Sequence, residues 1–276
     1  MTKCAIIGSM GYIGRNLYVY LSSQDCQIDC YDIHPKSIQP NYTQIDITQR
    51  ESLHKLNLNV DCIFLLGGLT GTSVSFDKYK DFVEVDLVGV LNILDYVRKS
   101  EFRPRIIFPS SRLVYKGSDK PLKVIDEKEP KTIYAICKLA AEHSLAAYAN
   151  AFDIPYTILR VCVPYGSLID GEYSYGTVGF MLQKAKAGED ITLFDGGQYK
   201  RTFTNMKDLC KQFYKAGISA KAKNRIYNIT GDTYTIREVA DFISTKYNIS
   251  IKEIPYPEQE KKLETGNTFF EDNNHS

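Results

Sequence analysis

The sequence predicts an α/β fold, a doubly wound parallel sheet followed by a smaller, discontinuous C-terminal lobe. Three observations carry this prediction. Short apolar runs alternate with longer amphipathic ones, a glycine-rich turn joins the first of each, and the alternation loosens after about residue 166. Strands separated by helices are joined by crossovers, which makes them parallel and buries the sheet on both faces. At 276 residues, 43% hydrophobic and 24% charged, the chain is long enough to bury such a core.

The first strand is read at 4–7, an apolar run that ends at Gly8. Residues 12–21 place apolar side chains at three- and four-residue steps and read as the first helix. Runs at 28–31, 62–66, 106–109 and 157–161 are rich in Ile, Val, Leu or Cys, are bounded by turn residues, and supply further strands. Between them 82–99 and 132–150 read as helices; in the former Phe82, Val85, Val90, Ile93, Leu94 and Val97 mark one stripe. A later helix is read at 177–186. Gly, Tyr and Ser cluster over 166–179, and the tail from Glu258 is polar. The expected division is a domain over 1–165, with a later contribution from about 200–230, and a small lobe over 166–276.

Charge and cysteine usage narrow the function classes. Lys plus Arg number 34 and Asp plus Glu 33, a formal charge of +1, so neither nucleic acid nor an anionic membrane is expected as a partner. No apolar run approaches the ~20 residues of a membrane span, and no signal peptide is read at the N-terminus. The seven cysteines lie mostly in apolar runs, their number is odd, and no CxxC occurs. That usage fits reduced core thiols in a cytoplasmic protein, with neither a disulfide framework nor a metal site. Aromatics are lopsided, with 20 Tyr, 13 Phe and no Trp.

The first chemical signal is Gly8-Ser9-Met10-Gly11-Tyr12-Ile13-Gly14, between the first strand and the first helix. Glycines there let backbone approach a pyrophosphate, whose charge sits on the free N–H groups of the helix start. The second strand ends in Asp32, 18 residues after Gly14, about where a ribose diol needs an acceptor. Asp32 repels a 2′-phosphate and favours NAD over NADP; Arg15, His34 and Lys36 are nearby cations that weigh the other way. The competing reading is a tight turn and a solvated acid.

The second signal is Tyr134-Ala135-Ile136-Cys137-Lys138 near the start of a helix, a spacing that puts phenol and ammonium on one face. A phenol that accepts a proton near neutral pH must titrate near 7 rather than about 10, a change of ~4 kcal/mol. An ammonium at ~5 Å supplies ~3 kcal/mol of this at an effective dielectric near 20. Just upstream, Ser110 and Ser111 end the strand read at 106–109, at the edge where ligands collect in open α/β sheets. Either hydroxyl could serve a substrate oxygen or cap the following turn.

Together these motifs resemble the extended short-chain dehydrogenases/reductases of the NAD-dependent nucleotide-sugar epimerase/dehydratase family, which have a Rossmann-type fold. The resemblance rests on GSMGYIG at 8–14, Asp32, SSRLVY at 110–115, YAICK at 134–138, LRVCVPYG at 159–166 and YKRTFTNMKDL at 199–209, in the family's order. It implies that Ser111 is the catalytic hydroxyl, Tyr134 the acid/base, and Lys138 the residue that binds the cofactor ribose. Gly8, Gly11, Tyr12, Ile13, Gly14 and Asp32 would hold NAD, with Asp46 and Ile47 at the adenine and Leu66, Gly67 and Gly68 along the backbone wall. A nucleotide-diphosphate sugar would be the substrate, touched by Ser110, Ser111, Tyr134 and Arg201, the last at the diphosphate. Helix 82–99 and the helix bearing Tyr134 would pair two copies into a homodimer.

Several positions depart from the family. Asp86 stands where Asn is usual and Lys116 where Gly is usual. Arg112-Leu113 replaces the acidic pair of 4,6-dehydratases, and beside the family's generally longer lobe the ending over 265–276 is expected to be abbreviated or cut. The function expected is therefore epimerisation through transient oxidation at a sugar carbon, C4. The alternatives are an NAD(P)H-dependent nucleotide 4-keto-6-deoxysugar reductase and, from another class, a non-catalytic dinucleotide-binding protein.

Overall fold

The computed structural model describes residues 1–171 and 175–271; of the ending over 265–276, residues 272–276 lie outside them. The chain begins β1 (Thr2–Ile7), α1 (Tyr12–Ser22), β2 (Cys26–Asp32), β3 (Tyr42–Gln44) and β4 (Cys62–Leu65). Short helices α2 (Val74–Asp77) and α3 (Tyr79–Val83) lead through a π-turn at Glu84–Val88 into α4 (Gly89–Arg98). Then follow β5 (Arg105–Ser111), α5 (Ile133–Phe152), β6 (Tyr156–Val161), β7 (Val163–Tyr165), α6 (Gly176–Lys186) and β8 (Ile191–Phe194). The chain continues with β9 (Lys200–Asn205), α7 (Met206–Ile218), β10 (Arg225–Asn228), β11 (Asp232–Thr235), α8 (Ile236–Tyr247), β12 (Ile251–Ile254) and α9 (Glu258–Leu263).

Seven strands form one parallel sheet in the order β10-β6-β5-β4-β1-β2-β3, the Rossmann-type doubly wound arrangement. Alternation along each strand explains why short apolar runs suffice. Ala5, Ile7, Ile63 and Leu65 face a layer built with Val90, Ile93, Leu94 and Leu145 from α4 and α5. Cys4, Ile6, Cys62 and Phe64 face the opposite layer, with Leu17 and Leu21 of α1 and Leu209, Cys210 and Phe213 of α7. The cysteines are free and mostly buried; burial pushes the Cys30 and Cys210 thiols up to about 12, which keeps them as apolar filler. The chain returns late to this layer, because α7 covers it and β10 extends the sheet edge.

The helix read at 82–99 carries a π-turn near its start. Its apolar stripe is continuous, but the π-turn inserts an extra residue and turns Asp86 into the protein interior. Beyond β6 the chain builds a second, smaller layer from β11-β9-β7 and β12-β8, packed against α6 and α8 through Val178, Met181, Leu193, Phe203 and Ile243. The terminal segment runs back across both layers, pairing Thr268 with Arg201 and Phe270 with Leu122. Among the described residues no helix is long and apolar enough to cross a membrane, and no group of His, Cys, Asp or Glu could hold a metal ion.

Candidate active site

The sheet order reverses between β1 and β4, and the crevice at their C-terminal ends is where an open α/β sheet takes a ligand. Gly8 leaves β1 at φ +88°, and a Cβ there would lie 2.4 Å from Gly67 N. A Cβ on Gly14 would lie 2.0 Å from Gly8 O. The turn therefore closes only with glycine at both positions. Gly11 caps α1 without a side-chain hydrogen bond, and a Cβ there would meet only Gly8 O at 3.4 Å, so the helix start opens into a cavity of about 550 Å³. A second cavity of about 380 Å³ shares Gly8, Gly11, Leu66 and Gly68 with it and adds Gly67, Asp32, Asp46 and Ile47. Asp32 accepts the Met10 N–H at 2.9 Å and the His34 N–H at 3.2 Å. Asp46 accepts the N–H and hydroxyl of Thr48 at 2.9 and 2.8 Å. An uncapped helix start, a carboxylate at the strand end and an apolar wall fit a dinucleotide. Tyr12 and Ile13 line the larger cavity, and the Tyr12 hydroxyl donates to Gly166 O.

Ser111, Tyr134 and Lys138 line that same larger cavity. Ser111 ends β5, and its Oγ accepts the Leu113 N–H at 3.2 Å. It does cap the following turn, and the hydroxyl proton is left for a partner in the cavity. Ser110 points to the other face, as strand alternation requires, and donates to Glu142 inside a buried network with Arg160. Ser110 also lines the larger cavity, so its hydroxyl is engaged in a structural contact at the cavity wall.

Tyr134 lies in the first turn of α5, started by Thr132, whose Oγ1 accepts the Ala135 N–H at 3.1 Å. Phe82 meets its ring edge-on at 6.3 Å. One turn on, Lys138 Nζ sits 5.7 Å from the centre of the Tyr134 ring and 4.9 Å from that of Phe108. Asp86 Oδ1 lies 3.6 Å from Nζ and accepts the Leu69 N–H at 3.0 Å, while Oδ2 has no hydrogen-bond partner among the described residues. A Cβ on Gly68 would stand 2.4 Å from Asp86 Oδ1, so glycine admits the acid. Burial pushes the Asp86 carboxyl up against the opposing pull of Lys138. Burial works to lower Lys138, but Asp86, with Tyr134 and Cys137, together outweigh it, and the ammonium is held above its ordinary value.

Arg201 lies apart, on a lobe cavity of about 840 Å³ that also touches Arg112, Tyr256 and Glu264. Its Nη2 donates to Glu264 Oε1 at 2.7 Å, and Nη1 donates to the carbonyls of Lys200 and Gly266. Burial, then the charge of Arg112, brings Arg201 down to about 10. Glu264 and Tyr256 have no counterpart in the sequence reading: a single acid in a polar tail carries no motif, and its partner is brought to it only by the Arg201–Thr268 bridge.

A model of the NAD dependent epimerase/dehydratase family matches residues 4–230. The chain is 27% identical over 272 residues to the UDP-N-acetyl-alpha-D-glucosaminuronate decarboxylase of Bacillus cytotoxicus, covering 92% of this chain and 83% of that protein. It is 24% identical to the CDP-paratose 2-epimerase of Salmonella typhi, covering 95% and 90%. Its fold is similar to that of the Thermus thermophilus UDP-glucose 4-epimerase, solved in complex with NAD, with a TM-score of 0.80, 20% identity, and 92% and 86% of the two chains covered.

Proposed function

The chain belongs to the NAD dependent epimerase/dehydratase family, and from that premise we propose that it is an epimerase of nucleotide-diphosphate sugars acting through transient oxidation at C4. One observation carries the reading: the glycine turn, Ser111, Tyr134 and Lys138 line one cavity. NAD, when bound, supplies the oxidant that takes a hydride from the sugar and returns it. Tyr134 accepts the hydroxyl proton as the carbonyl forms and gives it back as the carbonyl is reduced. Ser111 donates its remaining hydrogen bond to the same oxygen, and Lys138 places a cation one helical turn away that favours negative charge on the phenol. Gly8, Gly11 and Gly14 give the pyrophosphate its helix start, and Asp32 takes the ribose diol, which favours NAD over NADP. Arg201 lends positive charge to the wall along which the diphosphate lies.

Decarboxylation is a second reading, favoured by the Bacillus cytotoxicus relative. Oxidation at C4 of a sugar acid makes its C6 carboxylate a β-keto acid, which loses CO2 from the same intermediate. The test is incubation with NAD and UDP-, GDP-, CDP- and dTDP-sugars, followed by product analysis. Epimerisation leaves mass unchanged and consumes no net reduced cofactor; decarboxylation lowers the mass by one CO2. Tyr134→Phe is expected to lower turnover by ~10²–10⁴-fold with NAD still bound, and unaltered turnover would sink the scheme. We also propose a homodimer through α3 and α5, where Tyr79, Val83 and Ile136 are exposed. Sedimentation at micromolar concentration checks it, with Ile136→Glu expected to yield monomer.

A further inference from the structure

Arg112 follows Ser111 directly and lines both the larger cofactor-side cavity and the lobe cavity. Its Nη1 donates to Thr268 Oγ1 at 2.8 Å and Thr265 Oγ1 at 3.2 Å. These two neutral hydroxyls hold the guanidinium in place without cancelling its charge. The carboxylate beside it, Glu264, is already paired with Arg201 at 2.7 Å and also accepts from the Tyr256 hydroxyl and the Thr265 N–H. Glu260 lines the lobe cavity as well, but the charges acting most strongly on Arg201 are those of Arg112 and Glu264. Two guanidiniums thus share one carboxylate. Burial, and after it the charge of Arg112, makes Arg201 give up its proton more readily than an ordinary arginine.

A half-buried guanidinium that lines two cavities and shares its carboxylate with a second guanidinium has charge left for an anionic ligand. We propose that Arg112 is a specificity-determining residue that selects a nucleotide-linked sugar acid over the corresponding neutral sugar by meeting the sugar carboxylate. The inference rests on the nucleotide-sugar reading above. Two features place the anion on the sugar rather than on the diphosphate. Arg112 is adjacent in the chain to Ser111, which serves the reacting oxygen, so its side chain starts at the chemical end of the cavity. Arg201, the other cation, is held by Glu264 and offers less charge to a ligand. A planar guanidinium suits a carboxylate bidentately, and a neutral sugar would leave Arg112 desolvated and unpaired, so discrimination comes from rejection as well as attraction.

The test is calorimetric binding to the NAD-loaded protein of matched probes, UDP-glucuronic acid with UDP-glucose and GDP-mannuronic acid with GDP-mannose. Turnover of the same probes is followed in parallel. The sugar-acid member of the accepted pair is expected to bind at least ~10-fold tighter, the scale of one charge-assisted contact. Arg112→Gln, folded by circular dichroism and thermal melting, should bring that ratio to within about threefold. Equal affinity in the wild type, or an equal loss on both members in Arg112→Gln, overturns the proposal, the latter by assigning Arg112 to the diphosphate or to the scaffold. Turnover of neutral sugars without preference refutes this inference and leaves the epimerase reading standing. Failure of these probes to bind, with the CDP- and dTDP-sugars of the turnover test also refused, removes both.

Discussion

Asp86 Oδ1 stands 3.6 Å from Lys138 Nζ, with the two side chains 0% and 6% exposed. The acid is carried there by the π-turn and admitted by Gly68, and it ties Lys138 to the Leu69 backbone that walls the cavity. On the proposed mechanism its negative charge opposes the positive charge that Lys138 brings to the site. Asp86→Asn keeps an acceptor for Leu69 and removes that charge. The acid limb of the kcat/KM profile is expected to move to lower pH by about one unit, from a Coulomb change of ~1–2 kcal/mol at an effective dielectric near 20. Because the variant leaves a buried ammonium without a counter-ion, unfolding should also become easier by ~3 kcal/mol. An unmoved acid limb would show that the pair is structural only.

Gly14 and Gly188 make a controlled comparison. A Cβ on Gly14 would stand 2.0 Å from Gly8 O, a backbone atom that cannot swing aside, whereas Gly188 has φ +72° and nothing within 4 Å. Gly14→Ala must open the turn and is expected to weaken NAD binding more than ~10-fold, about 1.4 kcal/mol or more, by calorimetry. Gly188→Ala should cost ~1 kcal/mol of stability, through strain alone, without changing NAD affinity. Equal NAD affinity in the two variants would contradict this account of the turn.

Ser110 and Ser111 are neighbours with opposite duties. Ser110 donates to Glu142, which also holds Arg160, and the whole group is buried. Ser110→Ala is expected to cost ~1–3 kcal/mol in urea unfolding. On the proposed mechanism Ser111→Ala removes a hydrogen bond to the reacting oxygen and should lower kcat by ~10²-fold. Stability measurements and steady-state kinetics on the two variants should show these losses in opposite columns. A kcat loss confined to Ser110→Ala would reverse the assignment.

What could be read in the sequence, and what could not, divides along physical lines. Strands such as Cys62–Leu65 are buried on both faces, so their apolar runs signal them directly. The glycine turn and the Tyr134–Lys138 spacing are local, and local geometry survives in sequence. Edge strands β3 and β10, of three and four residues, carry too little burial to stand out. The π-turn is invisible for another reason: one extra residue in a helix leaves the apolar stripe of Phe82, Val90 and Val97 intact while redirecting Asp86. Ser110 and Ser111 could not be told apart in the sequence, because both line the cavity and only the Glu142 contact of Ser110 separates them. The Arg201–Glu264 pair joins residues that no short-range pattern links.

That pair gives a pH prediction with a definite sign. Burial works to raise the Glu264 carboxyl, but Arg201, then Arg112, and the Tyr256 hydroxyl outweigh it and hold it below the ordinary carboxylate range. A carboxyl depressed in the folded state contributes stability that is fully present above its unfolded value, about 4.5, and is lost as pH falls through the folded value. Glu264→Gln removes that contribution and leaves the Arg201 guanidinium, 3% exposed, without its carboxylate. At pH 7 the variant is expected to be less stable than the wild type by ~3 kcal/mol. The gap should shrink as pH is lowered from about 6 toward 3, because the wild type then protonates Glu264 and loses the same ion pair. Urea unfolding of both proteins at pH 7, 5 and 3.5 measures it. A gap that stays constant over that range would mean that the Glu264 charge adds nothing and that its hydrogen bonds alone hold the terminal segment to the lobe.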